Sequence, residues 1–146
     1  MKAKNFFYKS GMALYRFLAG IFFNLGGLKL LKRKYKNDLD ERLGEISGVP
    51  EGAIWIHAVS VGEVQSASSL IRRIRSKSPV PCVLSTVTKT GQNMAEKLLS
   101  SGSTKAVEKI FYSPFDYKKF VTRALDNIKP SIYIVIETEL WPELFA

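Results

Sequence analysis

Residues 53–91 read AIWIHAVSVGEVQSASSLIRRIRSKSPVPCVLSTVTKTG, and the change of period within this stretch decides the fold. Ala53 to Val59 is an apolar run broken only by His57, too short for a helix and suited to a strand buried on both faces. Glu63 to Lys77 then places Val64, Ala67, Leu70, Ile71 and Ile74 at helical spacing. Pro81 to Val87 returns to a strand. Working outward, the alternation continues with a helix at Gly91 to Ser100, a strand at Ala106 to Tyr112, a helix at Tyr117 to Asn127 and a strand at Ser131 to Ile136. Strands that are continuously apolar and alternate with helices predict a parallel sheet covered on both faces, a Rossmann-like α/β domain over residues 51–146. Such sheets bind ligands at the carboxyl ends of their strands. The loops to inspect are therefore Ser60 to Glu63, Thr86 to Gly91, Ser113 to Asp116 and Glu137 to Pro142.

Upstream the character changes. Phe6 to Leu31 is aromatic and aliphatic but interrupted by Lys9, Arg16 and Lys29, and its longest uncharged run, Phe17 to Leu28, has twelve residues. A membrane span needs roughly 20 apolar residues, so the segment is expected as a helix lying in or dipping into the interface, with Arg16 snorkelling; the alternative is an amphipathic helix packed on the chain's own core. Lys29 to Lys36 follows with five positive charges in eight residues. Residues 1–36 thus read as a membrane-associated helix and basic cluster, with Phe17, Ile21, Phe22, Phe23, Lys32, Arg33, Lys34 and Lys36 as the contacts to an anionic surface. Residues 37–50, polar and turn-rich, read as a short helix and linker ending at Gly48-Val49-Pro50.

The 146 residues are 46% hydrophobic and carry 22 Lys+Arg against 13 Asp+Glu, a net charge of +9. This is too apolar for a disordered chain and has the length of one small domain. Net charge is +6 over residues 1–50 and +3 over residues 51–146, so most of the excess sits beside the apolar segment. That placement favours a lipid surface over nucleic acid, for which no helix-turn-helix or RNP-type pattern exists. One Cys and one His exclude an internal disulfide and a Cys/His zinc site, and fit a reducing compartment.

In the loops, Ser60-Val61-Gly62-Glu63 has the spacing of a capping box, and a carboxylate at a strand's carboxyl end also suits a general base. Gly62 lacks the rest of a G-x-G-x-x-G, so a dinucleotide site is weakly supported. Ser85 to Gly91 gathers four hydroxyls, Lys89 and a glycine without a Walker pattern; phosphate or sugar contact and simple turn capping both explain it. Asp116 is expected to cap the helix that follows it. Glu137 and Glu139, placed directly after an apolar strand, are costly there unless paired or facing a ligand, and alternate in direction. His57 reads as a core or supporting histidine.

Four blocks together, W-I-H-A-V-S-V-G-E-V at Trp55 to Val64, S-T-V-T-K-T-G at Ser85 to Gly91, Y-S-P-F-D at Tyr112 to Asp116 and E-T-E-L-W-P at Glu137 to Pro142, resemble the N-terminal domain of 3-deoxy-D-manno-octulosonic acid (Kdo) transferases. E-R-L-G at Glu41 to Gly44 and the apolar N-terminus extend the resemblance over almost the whole chain. Glu143 departs from it, standing where the family usually has Asn.

The resemblance implies a GT-B glycosyltransferase: two Rossmann-like halves about a cleft, the N-terminal one for the acceptor and the C-terminal one for CMP-Kdo. Glu63 would be the general base acting on a hydroxyl of the lipid A precursor, with inversion and with no metal or cofactor, a role compatible with capping. Ser60, Gly62, Thr88, Lys89, Thr90, Gly91, Glu137 and Glu139 would line the substrate site. The expected location is the cytoplasmic face of the inner membrane, and the expected partners are the lipid A precursor, CMP-Kdo and an anionic membrane surface. With no donor half, the 146 residues look like a truncated copy, expected to be inactive alone. The rival reading is a non-catalytic, membrane-associated remnant or glycolipid-binding module.

Overall fold

The computed structural model describes residues 2–100, 105–136 and 141–144, with side chains from Ser10 onward. Four parallel strands, β1 (Ile54–His57), β2 (Cys82–Thr86), β3 (Lys109–Tyr112) and β4 (Ile132–Val135), form one sheet in the order β3-β2-β1-β4. The registers pair Ile56 with Leu84 and with Ile134, and Leu84 with Ile110. The order reverses between β1 and β4. That is where an open α/β sheet leaves a crevice at its carboxyl edge.

Both faces are covered, as unbroken apolar strands require. Ile54, Ile56, Cys82 and Leu84 pack under α4 (Val61–Lys77), through Val64, Ala67 and Ile71, and under α5 (Lys89–Ala95) with the π-helical turn Glu96–Ser100, through Ala95 and Leu99. Trp55, Val83 and Phe111 face the other way against Ala124 and Ile128 of α6 (Lys118–Ile128). Trp55, Phe111, Ile56 and Leu84 are fully buried. Side chains of this size stabilise a fold by roughly 1.5–3 kcal/mol each, so the two layers are the bulk of the core.

Several boundaries differ from the sequence reading. Strands are shorter at their ends, and α4 begins at Val61 because Ser60 is its cap. The expected linker 37–50 is part of the domain. After α3 (Leu39–Arg42), Ile46 is buried in the second core layer, and the Glu41 carboxylate accepts the Tyr112 backbone N–H at 2.8 Å. Asn127 donates to the Gly44 carbonyl at 2.9 Å. Asp116 does not cap α6, whose N-cap is Tyr117 with no side-chain bond. Its carboxylate instead accepts the Glu143 backbone N–H at 3.0 Å and faces the Tyr15 hydroxyl.

The N-terminal segment is α1 (Lys2–Phe22), a π-helical turn at Phe23–Gly27 with non-helical Leu25 and Gly26, and α2 (Leu28–Lys34). Ser10 to Lys34 is long and apolar enough to cross a membrane by length and composition, which the twelve-residue uncharged run did not suggest. One side of α1 is committed to the domain. Met12 is buried, Tyr15 donates to the Asp116 carbonyl, and Arg16 pairs with both Glu143 oxygens at 2.6 and 3.1 Å rather than snorkelling. The Glu143 side chain is 2% exposed, so Arg16 is what makes a carboxylate tolerable there. Phe23, expected at the membrane, packs edge-on to Phe120 and against Tyr117, ring centroids 4.9 Å away in both cases. Leu14, Phe17, Leu18, Ile21 and Phe22 form a bare stripe on the other side, and Leu25 is exposed in the turn that follows.

Candidate functional site

The turn from β1 into α4 carries Ser60, Gly62 and Glu63. The capping box is complete: the Ser60 hydroxyl accepts the Glu63 N–H at 3.4 Å, and the Glu63 carboxylate accepts the N–H groups of Val59 at 2.8 Å and Ser60 at 3.3 Å. Glu63 is nearly buried at 7% exposure. Its two oxygens are therefore fixed at the carboxyl end of β1, next to the point where the strand order reverses. Gly62 beside it is exposed, and a Cβ there would meet nothing within 4 Å. Free space adjoins the carboxylate.

The turn from β2 into α5 is tied to this one. Thr88 caps α5, its hydroxyl accepting the Gly91 N–H at 3.0 Å and donating to the Val59 carbonyl at 3.1 Å. A Cβ on Gly91 would meet Val59 O at 2.9 Å, so Gly91 is buried for close packing of the two turns and does not line open space. Thr90 reaches the Thr88 hydroxyl at 3.3 Å and is exposed, as is Lys89. Thr86 bonds Gln92 at 2.7 Å, anchoring the start of the turn. Capping thus accounts for Thr88 and Gly91, while Lys89 and Thr90 remain available to a ligand. Glu137 and Glu139 lie outside the described residues.

Sequence reading did not anticipate the polar chain beneath the site. Trp55 Nε1 donates to Ser85 Oγ at 2.8 Å, and Ser85 Oγ lies 2.8 Å from His57 Nδ1. The Ser85 hydroxyl has a second lone pair and a proton, so it accepts from or donates to Nδ1 according to the imidazole tautomer, and the other ring nitrogen is Nε2. That atom is buried without a partner among the described residues, and the Trp141 ring stands edge-on at 5.7 Å. Burial pushes His57 down from 6.5 to about 4 against the pull of the Glu63 carboxylate, so the ring is neutral.

A depressed histidine makes stability fall with acid. Between the two values the unfolded chain binds a proton that the folded one refuses, so stability is fully present above 6.5 and is lost as pH falls toward 4. The urea midpoint of the protein is expected to drop between pH 7.5 and 5.5 by the equivalent of roughly 1 kcal/mol, and His57→Asn is expected to remove this slope. Equal wild-type midpoints at the two pH values would show that His57 titrates normally.

Lys89 also belongs to a second feature. The basic residues Arg33, Lys34 and Lys36, read as lipid contacts, line a cleft with Lys89 and the buried Arg42, whereas Lys32 does not. No local signal predicts this, since the cleft joins segments more than forty positions apart, as in the Arg42 Nη2 bond of 2.9 Å to the Val87 carbonyl.

Residues 37–146 match the family described as 3-Deoxy-D-manno-octulosonic-acid transferase (kdotransferase). A 3-deoxy-D-manno-octulosonic acid transferase of Haemophilus influenzae is 33% identical over 143 residues, covering 95% of this chain and 32% of that protein. A bifunctional glycosyltransferase/methyltransferase of Fusobacterium nucleatum is 37% identical over 116 residues, 78% of this chain and 18% of its own length. A probable mitochondrial 3-deoxy-D-manno-octulosonic acid transferase of Arabidopsis thaliana is 34% identical over 107 residues, 71% of this chain and 23% of its own. The chain spans about a third or less of these relatives.

Proposed function

The chain belongs to the 3-deoxy-D-manno-octulosonic acid (Kdo) transferase family of glycosyltransferases, and from that premise we propose that it supplies the acceptor side of Kdo transfer from CMP-Kdo to the lipid A precursor. The observation that carries this reading is the Glu63 carboxylate, fixed by two backbone N–H groups at the sheet's switch point beside the open Gly62 position. In the reaction Glu63 takes the proton of an acceptor hydroxyl. That oxygen bonds to the anomeric carbon of Kdo while the bond from that carbon to the CMP phosphate breaks from the opposite side, inverting the centre and releasing CMP. Ser60 and Gly62, with Lys89 and Thr90 from the neighbouring turn, border the acceptor; Glu139 and Glu137 are assigned to the same substrate by resemblance to the family alone. Thr88 and Gly91 act through packing.

CMP-Kdo is held by a second Rossmann-like half of a GT-B enzyme, and the 146 residues alone do not transfer. Purified on their own with radiolabelled CMP-Kdo and lipid A precursor, they are expected to give labelled lipid at background level. Turnover by them would overturn the division of labour between two halves.

The N-terminal helices support a membrane location for the acceptor. The bare side of α1 presents Phe17 at 64% exposure, the turn after it presents Leu25 at 81%, and α2 continues with Lys32, Arg33 and Lys34. An apolar stripe worth burying in acyl chains, followed by cations each worth about 1 kcal/mol near anionic headgroups, supports a seat for the site on the cytoplasmic face of the inner membrane.

A further inference from the structure

Between the C-terminal end of α2, α3 and the carboxyl ends of β2 and β3 lies a cleft of about 450 Å³. Five of its lining side chains are cations, Arg33, Lys34, Lys36, Arg42 and Lys89, against one carboxylate, Asp38. Arg42 is built into the wall. It is 5% exposed, its guanidinium carbon lies 4.5 Å from the ring centroid of Tyr35 and 4.4 Å from that of Tyr112, and its Nε is 2.7 Å from Asp38 Oδ2. With Nη2 on the Val87 carbonyl, Nη1 has no protein partner among the described residues. Arg33, Lys34, Lys36 and Lys89 make no ion pair among the described residues either.

Gathering so many cations around one concavity is unfavourable unless an anion joins them, and a concave wall concentrates the field on whatever enters. The orientation of Arg42 is set in advance by its two rings and Asp38, so little freedom is lost when it donates. A phosphomonoester, with nearly two charges and three acceptor oxygens, uses several such donors at once; a singly charged phosphodiester uses fewer. The carrier is lipid by position, because α2 leads from the bare apolar stripe of α1 straight to the mouth of the cleft.

We propose that this cleft binds the phosphomonoester of a lipid head group. That the lipid is the glycolipid acceptor rests on the function proposed above, since Lys89 joins the cleft to the turn that Thr88 ties to Glu63; the selectivity for a phosphomonoester does not. The test uses the 146-residue protein and phosphatidylcholine vesicles containing either phosphatidic acid, a phosphomonoester, or phosphatidylglycerol, a phosphodiester, matched for surface charge. The protein is expected to partition about tenfold more tightly onto phosphatidic acid at pH 7.5. The preference should shrink below about pH 6, where the phosphate dianion takes up a proton and becomes singly charged. In Lys36→Ala/Lys89→Ala, two exposed positions whose loss leaves the melting temperature unchanged, the two vesicle types should bind within about twofold of each other.

Equal binding of wild type to both vesicles, or an undiminished preference in the double variant, overturns the site. Inorganic phosphate and a hexosamine phosphate serve as soluble competitors. Failure of both to displace the protein at lipid-equivalent concentration supports a lipid-borne phosphate, and displacement by either overturns the lipid as source. No step of the assay involves transfer, so the outcome is independent of the role of Glu63.

Discussion

Glu63→Gln, introduced into an enzyme that carries these residues together with a donor-binding half, is expected to lower kcat for Kdo transfer by about 10²–10⁴-fold, the usual contribution of a positioned general base. The substitution separates two roles that the same carboxylate fills. As a cap, Glu63 accepts the Val59 N–H on one oxygen and the Ser60 N–H on the other, and Gln, with one acceptor oxygen, keeps the shorter bond to Val59 and loses the longer one to Ser60. The melting temperature should therefore fall less than it does in the Ala variant. As a base, it has to take a proton from a hydroxyl, which an amide cannot do at neutral pH. Glu63→Ala removes both functions and should lose activity together with about 1 kcal/mol of stability at the start of α4. Activity retained in the Gln variant would reduce Glu63 to its cap and leave Kdo transfer to another base.

What was legible before the structure was whatever depends on neighbours in sequence. The parallel sheet follows from runs such as Ala53 to Val59 that leave no polar face to expose, and the capping box follows from a three-residue spacing that the structure reproduces. The misreadings share a cause in contacts across long separations. Asp116 looked like a helix cap because its partners, Tyr15 and the Glu143 backbone, lie 101 and 27 positions away. Phe23 looked like its exposed neighbour Phe22, yet the break at Leu25–Gly26 and the rings of Tyr117 and Phe120 turn it inward. Nor does the charge run 29–36 reveal which cations close a cleft with Arg42 and which stay outside it, since that depends on Tyr112 in another strand.

The segment 37–50 gives the sharpest case, and Gly44→Ala tests it. Gly44 sits at φ +82, in the left-handed region, and a Cβ there would overlap the Phe120 carbonyl and approach the Ala124 nitrogen to 3.0 Å. Two costs add: roughly 1–3 kcal/mol for the backbone conformation and a similar amount for forcing atoms into a packed contact with α6. The segment cannot retreat cheaply. Asn127 holds the Gly44 carbonyl, Arg123 holds the Glu45 carboxylate at 2.6 Å, and Ile46 is anchored in the core two residues on. The expected loss is about 4 kcal/mol, read as a fall of roughly 10 °C in melting temperature for a domain of this size. Gly48→Ala supplies the comparison, because Gly48 also has a positive φ, +71, but nothing within 4 Å of its added carbon. It should lose only the backbone share, about 1 kcal/mol. Equal losses at the two positions would mean that the 41–46 turn is free to move away from α6, and the floor under Arg42 and its cleft would then be adjustable rather than fixed.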